Sequence, residues 1–117
     1  MKNHKELTVW QKAMELVVEV YGLVKKLPKE ETCALSDQMR RAVVSIPSNI
    51  AEGNARGSEK EFLRFLSIAQ GSNAEIETQL LICVQLGYLY EGEIQTALVL
   101  SEEVSKMIRG LRKAISR

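Results

Sequence analysis

Few residues in this chain could do covalent chemistry. The only histidine, His4, lies ahead of the first predicted helix, and Cys33 and Cys83 are too few for a disulfide framework. The sequence contains no Glu-x-x-His pair of the di-iron type, no phosphate-binding glycine loop and no Gly-x-Ser-x-Gly motif. Glu52 and Glu75 could form an acid–base pair, but nothing distinguishes them from the other carboxylates. We therefore expect no enzymatic activity, no cofactor, no metal site and no small-molecule substrate.

A row of polar residues on the second and third predicted helices is the most unusual feature of the sequence. Side chains three or four residues apart share one side of a helix. This spacing relates Arg41, Ser45, Ser48, Glu52 and Arg56 on the second predicted helix, and Glu61, Arg64, Ile68, Gly71, Ser72 and Glu75 on the third. The two helices are expected to meet about Gly57, which would place Arg56 and Arg64 at the same end of the molecule and lets Glu52 pair with Arg56.

Three interpretations of this polar row remain open. The first is a set of solvated surface pairs, each worth a few tenths of a kcal/mol. The second is a polar network buried between subunits, with Asn49, Glu52 and Glu75 as its structural members. The third is direct contact with phosphate through Arg40, Arg41, Arg56 and Arg64. Asn49 borders the apolar side of its helix, so it is expected to bond either to the carbonyl that Pro47 leaves free or across to the third helix.

The C-terminal segment is basic although the chain as a whole is not. The chain has 16 basic and 15 acidic residues, whereas residues 104–117 contain basic residues and no acidic one. Cations at a helix C-terminus are favoured by the helix dipole, which is one explanation. The other explanation is a surface that faces phosphate and includes Arg109, Arg112 and Lys113.

Four segments in which apolar residues recur at helical spacing must position these groups. They predict helices at about 9–27, 32–55, 59–86 and 92–115, joined by short loops. The predicted fold is all-α, a single domain of residues 1–117 with an antiparallel up-down-up-down four-helix bundle. Capping boxes are expected at Thr8–Gln11 and at Ser58–Glu61.

Proline and glycine positions refine this prediction. Pro47 predicts a single kinked helix, because a break would leave Ile46 as an unfavourable N-cap. Gly53 and Gly57 are expected to accommodate left-handed backbone at the end of the second helix, and Gly87 is expected to end the third. Gly71 predicts either a close approach of two helices or a gap that faces a ligand.

The sequence also indicates the cellular location. The N-terminus lacks the continuous apolar core of a signal peptide, and no apolar run approaches the ~20 residues that span a bilayer. Cys33 and Cys83 are expected to be free thiols, because Cys83 lies on an apolar stripe and Cys33 lies off the stripe of its own helix. We expect a cytoplasmic protein without a membrane partner.

Six segments carry a resemblance to a known family. They are Thr8–Ala13 (TVWQKA), Gln38–Ala42 (QMRRA), Ser45–Gly53 (SIPSNIAEG), Glu61–Leu66 (EFLRFL), Ala69–Ser72 (AQGS) and Leu86–Leu89 (LGYL). In this order they resemble the bacterial four-helix-bundle family that is also called the 23S rRNA intervening-sequence protein family. The family in turn is similar to the accessory variability protein of diversity-generating retroelements, a pentameric barrel with a basic surface that contacts nucleic acid.

The resemblance implies a ring-like homo-oligomer, most simply a pentamer, with a role in binding nucleic acid. Together with the arginines and the basic C-terminus, it predicts a non-enzymatic protein that binds RNA or a ribonucleoprotein partner. The alternative is a structural module that assembles with other protein chains and binds no nucleic acid.

Overall fold

A computed structural model describes residues 3–116 of the chain. Its four α-helices are α1 (Thr8–Val24), α2 (Leu35–Ala55), α3 (Glu59–Gln85) and α4 (Gln95–Ile115). Short 3-10 helices at His4–Glu6, Lys29–Glu31 and Glu91–Ile94 precede α1, α2 and α4. Residues 3–116 contain no β-strand, so the predicted all-α class is confirmed.

The four helices enclose one hydrophobic core. Each helix packs against the next one in sequence, α1 also packs against α4, and the contact between α2 and α3 is the most extensive. Along that contact, Ser45 lies 2.8 Å from Ser72 and the Met39 sulfur lies 3.6 Å from the Cys83 sulfur. The residues of α2 and α3 that contact each other therefore run in opposite directions along the two helices.

Aliphatic side chains at helical spacing fill this core. The fully buried members include Leu16, Ile46, Ile50, Leu66, Leu80 and Ile108. Burying one such side chain contributes about 1.5–3 kcal/mol relative to leaving it in water. The hydrophobic stripes thus account for the fold, and the polar side chains between them remain available on the surface.

The starts of α1 and α3 differ in how they are capped. Thr8 is already inside α1, and the residue before it, Leu7, provides no side-chain cap. Gln11 instead donates from Nε2 to the carbonyl oxygen of Lys5 at 2.9 Å, so the capping box predicted at Thr8–Gln11 is wrong. The physical reason is that the 3-10 turn before α1 brings the Lys5 carbonyl within reach of Gln11. At α3 the Ser58 hydroxyl accepts from the backbone N–H of Glu61 at 3.2 Å, which confirms the Ser58 half of the predicted capping box. The Glu61 carboxylate pairs instead with Arg64 and Arg56.

Two helices begin later than the sequence pattern suggests because 3-10 turns precede them. α2 begins at Leu35 after the turn at Lys29–Glu31, and α4 begins at Gln95 after the turn at Glu91–Ile94. Each turn is bonded to a residue from another part of the chain: the Tyr88 hydroxyl donates to Glu31 at 2.7 Å, and Lys26 donates to Glu93 at 2.7 Å. This end of the bundle is therefore closed by specific polar contacts.

The glycines within the helices have opposite surroundings. A Cβ built on Gly71 meets nothing within 4 Å, so the predicted close approach there is wrong. The close approach occurs at Gly53, where a Cβ would lie 2.7 Å from the Cβ of Phe65 and 3.0 Å from Cδ1 of Phe62. Gly53 is buried inside α2 and is not part of a left-handed turn. Gly57, with φ of +73°, makes that turn.

Other features agree with the sequence prediction. α2 continues through Pro47, and Gly87, with φ of +77°, follows the end of α3. Cys33 is exposed, Cys83 is buried, and both are free thiols. None of the helices in residues 3–116 combines the length and apolar character needed to cross a membrane.

Candidate functional site

Arg40 and Arg41, at the start of α2, both have partners within the chain. Arg40 donates from Nη2 to the carbonyl oxygen of Thr32 at 3.2 Å, which ties the loop to the helix. Arg41 pairs with Asp37 one turn earlier, with 3.0 Å between Nε and Oδ2. The Arg41 side chain is 78% exposed, so this pair is screened by water and contributes little to stability. Arg40 is half-buried and Arg41 is exposed, so both can still meet solvent, Arg41 the more fully.

Arg56 and Arg64 form a neutral cluster where α2 meets α3. The predicted pair is confirmed: Nη2 of Arg56 lies 2.8 Å from Oε2 of Glu52. Arg64 pairs with Glu61 at 3.2 Å, and Arg56 lies 3.8 Å from the same carboxylate. The two guanidinium groups lie 5.0 Å and 4.5 Å from the centroid of the Phe65 ring, a cation–π arrangement that confirms their placement at the same end.

The ionisation of this cluster reflects the same contacts. The hydrogen bond from Arg64 lowers the pKa of the Glu61 carboxyl, and that bond raises the pKa of Arg64. Two carboxylates, those of Glu52 and Glu61, therefore face two guanidinium groups. Their charges cancel locally, so the cluster offers little net attraction to a phosphate group.

Asn49 belongs to a hydrogen-bonded set that links α2 to α3. Its Nδ2 donates to the carbonyl oxygen and to the hydroxyl of Ser45, at 2.7 Å and 2.8 Å. The carbonyl that Pro47 leaves free is that of Val43. Both partners predicted for Asn49 are wrong, because the Ser45 carbonyl and hydroxyl lie one turn back on the same helix, within closer reach. The Ser45 hydroxyl, and not Asn49, crosses to α3, where it lies 2.8 Å from the Ser72 hydroxyl.

Glu75 belongs to a different set. It accepts from Nε2 of Gln79 at 3.2 Å, and Gln79 is only 5% exposed. Among the contacts described for residues 3–116, Asn49, Glu52 and Glu75 thus lie in three separate sets and not in one network.

The basic residues of α4 have a different environment. Arg109, Arg112 and Lys113 line an open cavity of about 510 Å³, together with Leu63 and Ser116. Within residues 3–116, no carboxylate lies within 4.0 Å of the charged nitrogens of these three cations. Arg109 donates from Nη1 to the hydroxyl of Ser105 at 2.8 Å, which orients the guanidinium without neutralising it. We call Arg109, Arg112 and Lys113 the α4 cations.

A polar groove runs between α3 and α4 beside the α4 cations. It has a volume of about 380 Å³ and is lined by Gln70, Asn73, Ala74, Glu77, Ser101, Glu102, Ser105 and Arg109. At its base Asn73 donates to the Ser101 carbonyl at 2.9 Å, and the Ser101 hydroxyl donates back to Oδ1 of Asn73 at 2.9 Å. We call this feature the α3/α4 groove.

Sequence reasoning missed this groove. Asn73 and Ser101 occupy positions within the apolar stripes of α3 and α4, and both are buried. A polar residue at a core position of each of two neighbouring helices is a signal for a buried hydrogen-bonded pair. That signal was present in the sequence, although it does not indicate which residues would line the groove.

An apolar surface covers the outer side of α1 and α2. A shallow cavity of about 310 Å³ there is lined by Trp10, Met14, Val17, Val44, Pro47, Ser48 and Ala51. Val18 and Tyr21 extend the apolar surface along α1, and Val18 is 72% exposed. We call these nine residues the α1/α2 apolar surface. Its extent agrees with the wide hydrophobic face that α1 shows in the sequence.

The remaining reactive groups support no particular chemistry. Among residues 3–116, no group of three or more His, Cys, Asp or Glu side chains is arranged to hold a metal ion. Burial raises the pKa of the Cys83 thiol to about 11, so this group is protonated and unreactive at neutral pH. His4 packs edge-to-face against Trp10, with 5.3 Å between the ring centroids.

Comparison with known proteins identifies the family. A crystal structure of a protein of unknown function from the S23 ribosomal protein family of Bacteroides thetaiotaomicron is similar to this chain, with a TM-score of 0.83 and 27% sequence identity. The similarity covers 91% of this chain and 99% of that one. A comparison with curated proteins gave no significant match. The profile of the 23S rRNA-intervening sequence proteins matches residues 5–110, and the chain therefore belongs to the 23S rRNA-intervening sequence protein family.

Proposed function

We propose that this chain is a non-enzymatic, cytoplasmic RNA-binding protein that contacts RNA phosphates through the α4 cations and acts as a homo-oligomer. The observation that carries the proposal is the difference between two groups of basic residues. Arg40, Arg41, Arg56 and Arg64 each bond to a carbonyl or carboxylate of the chain. The α4 cations line an open cavity, and no carboxylate of residues 3–116 lies within 4.0 Å of their charged nitrogens.

The size of the cavity sets the expected strength of binding. Arg109 and Lys113 are four residues apart, or about 6 Å along the helix axis. A patch of this length engages about two or three phosphates, so the logarithm of the affinity should fall with the logarithm of the salt concentration with a slope of roughly −2. This is a weak, electrostatic mode of binding that fits a protein of net charge +1.

The proposal is tested by anisotropy titrations of fluorescent RNA at several salt concentrations. The double variant R112A/K113A should weaken binding about tenfold or more and reduce the magnitude of the salt slope by about 1–2. The matched control R40A/R41A removes the same charge from α2 and should leave both quantities close to those of the wild type. Equal losses in the two variants, or binding that is insensitive to salt, would contradict the assignment.

We propose further that the partner at the α1/α2 apolar surface is a second copy of this chain. Apart from the hydroxyl of Ser48, the surface has no polar side-chain group beyond those of Trp10 and Tyr21, so two copies would meet there without opposing like charges. The family resemblance supports a ring, most simply a pentamer. Light scattering should give a mass several times 13.2 kDa. A clean monomer would contradict this part of the proposal.

One variant tests the surface itself. Val18 is 72% exposed, so V18E should leave the fold intact and shift the mass toward the monomer. Val99, on α4, is 55% exposed and provides the matched control V99E, which should keep the wild-type mass. If both variants keep the wild-type mass, another surface mediates assembly.

The antiparallel up-down-up-down arrangement belongs to the same proposal. It is supported by contacts that pair the middle of α2 with the middle of α3 (Ser45–Ser72), the start of α2 with the end of α3 (Met39–Cys83) and the N-terminal half of α1 with the middle of α4 (Lys12–Glu103).

The second candidate function, a structural assembly module, is favoured by the α1/α2 apolar surface. An oligomer that binds no RNA at low salt would select it.

A further inference from the structure

We propose that the α3/α4 groove receives the base of an unpaired nucleotide whose phosphates lie on the α4 cations. This inference rests on the proposed function and deepens it, because it specifies single-stranded RNA and a preference for bases with an exocyclic amino group. It is carried by the position, the chemistry and the charge of the groove.

The position of the groove links it to the phosphate surface. Arg109 lines both the α3/α4 groove of about 380 Å³ and the cavity of about 510 Å³ formed by the α4 cations. The two features are therefore continuous along α4. A nucleotide whose phosphate contacts Arg109 can direct its base along the groove without leaving the surface.

The floor of the groove presents hydrogen-bonding groups held in fixed positions. Asn73 and Ser101 are buried and bond to each other in both directions, so the two helices cannot slide past each other without breaking these bonds. The side-chain amide of Gln70 makes weaker hydrogen bonds than those of Asn73 and Ser101. Its Nε2 makes one long bond of 3.3 Å to the Ser105 carbonyl, and its Oε1 is buried without a partner among residues 3–116. Turning this amide toward the groove would break only that bond and would offer both its donor and its acceptor to a base edge.

Charge sets the direction of the nucleotide. Glu77 and Glu102 line the groove together with Arg109, and Glu102 also pairs with Lys106 at 3.4 Å on the exposed side of α4. Carboxylates repel phosphate while they accept hydrogen bonds from amino groups. Phosphate is therefore confined to the side of the α4 cations. Adenine, cytosine and guanine each carry an exocyclic amino group that the carboxylates and the Gln70 oxygen can accept, whereas uracil carries none.

The composition of the groove also predicts how strongly it discriminates. No aromatic ring is among its lining residues, so recognition depends on the base edge and not on stacking. In a duplex the Watson–Crick edges are already paired, and the deep major groove of RNA admits no side chains. Duplex RNA should therefore contact the α4 cations alone.

The test compares short RNAs of equal length by fluorescence anisotropy at one low salt concentration. The probes are oligoadenylate, oligocytidylate, oligouridylate, an abasic strand and a duplex. We expect oligoadenylate and oligocytidylate to bind the wild type about tenfold more tightly than the abasic strand, with oligouridylate between them, since good base contacts discriminate by about this factor or more. Q70M should abolish most of this preference. The matched control Q38M changes a glutamine in the groove between α2 and α3 and should keep it.

The outcomes separate this inference from the proposed function. If the abasic strand or the duplex binds as tightly as oligoadenylate, the base site is refuted while phosphate binding stands. If none of the probes binds, the proposed function itself is refuted. If circular dichroism shows that Q70M does not fold, the variant E77Q/E102Q tests the same inference. It removes the two carboxylates and should raise the affinity for oligouridylate relative to oligoadenylate at least threefold. An unchanged ratio in that variant overturns the inference.

Discussion

Replacing Gly53 by alanine tests the close approach of α2 and α3 at this position. A Cβ at this position would lie 2.7 Å from the Cβ of Phe65 and 3.0 Å from Cδ1 of Phe62. Carbon atoms pack favourably at about 3.5–4.0 Å, so α2 and α3 would have to separate by several tenths of an ångström or more. The Cβ of Phe65 is fixed to the backbone of α3 and cannot rotate away, so the helix itself must move.

The expected magnitude follows from two opposing effects. Alanine in a helix interior is about 1 kcal/mol more favourable than glycine. Overpacking a tight core contact costs about 1–3 kcal/mol. The net effect of G53A is therefore a free energy of unfolding that is lower by up to about 2 kcal/mol.

Gly71 provides a control that isolates the steric cost. It also lies inside a helix, and a Cβ there meets nothing within 4 Å. G71A should therefore stabilise the protein by about 0.5–1 kcal/mol. The difference between the two variants removes the helix propensity and should be about 1–3 kcal/mol in favour of G71A.

The measurement is urea denaturation followed by circular dichroism, with both variants and the wild type at one protein concentration. A fixed concentration is needed because self-association would add to the apparent stability. If G53A proved as stable as G71A or more stable, the close approach of α2 and α3 at this position would be refuted.

Three further predictions concern thiols, a buried amide and pH. In the native protein a thiol reagent should modify Cys33 rapidly and Cys83 only on unfolding, because Cys33 is exposed while the Cys83 thiol is buried with a pKa of about 11; rapid modification of both would contradict this. N73A should lower the free energy of unfolding by about 1–3 kcal/mol, because it leaves the buried hydroxyl of Ser101 without its acceptor and removes the amide that donates to the Ser101 carbonyl. A double-mutant cycle with S101A should show coupling between the two side chains. The hydrogen bond from Lys26 lowers the pKa of the Glu93 carboxyl in the folded protein. The ionised carboxylate therefore stabilises the fold fully above the pKa of an unfolded glutamate, which is about 4.3. This contribution is lost as the pH falls through the lower pKa of the folded state. Urea titrations at successive pH values should therefore show that E93Q loses less stability than the wild type on acidification, and parallel pH profiles would refute this role.

Much of the architecture follows from local rules that a sequence displays directly. Hydrophobic residues at helical spacing predict four helices, and the residues that stop or cap them are recognisable, as at Ser58 and Gly87. The Glu52–Arg56 pair could also be predicted, because four residues on one helix bring two side chains together whatever the rest of the chain does.

The errors arise where a neighbouring element intervenes. Thr8 and Gln11 have the spacing of a capping box, but the turn before α1 supplies the Lys5 carbonyl as a competing partner for Gln11. Gly53 continues the apolar stripe of α2 three residues after Ile50, whereas Gly71 lies off the apolar stripe of α3. The pattern therefore favours Gly53 as the buried glycine, but the distance at which α3 approaches it depends on where Phe62 and Phe65 pack. No local rule contains that distance.

The sequence by itself determined the helical class of this protein, most of its helix ends and the family to which it belongs, because these depend on residue identity and short spacings. The tertiary structure decided what else surrounds each cation. Arg56 already has Glu52 one turn earlier on its own helix, and the packing of α3 adds the Glu61 carboxylate at 3.8 Å and the Phe65 ring. Arg109 instead lies beside an open groove and donates to a serine hydroxyl. Long-range packing sets the distance between charges, and that distance determines which surface can attract a phosphate.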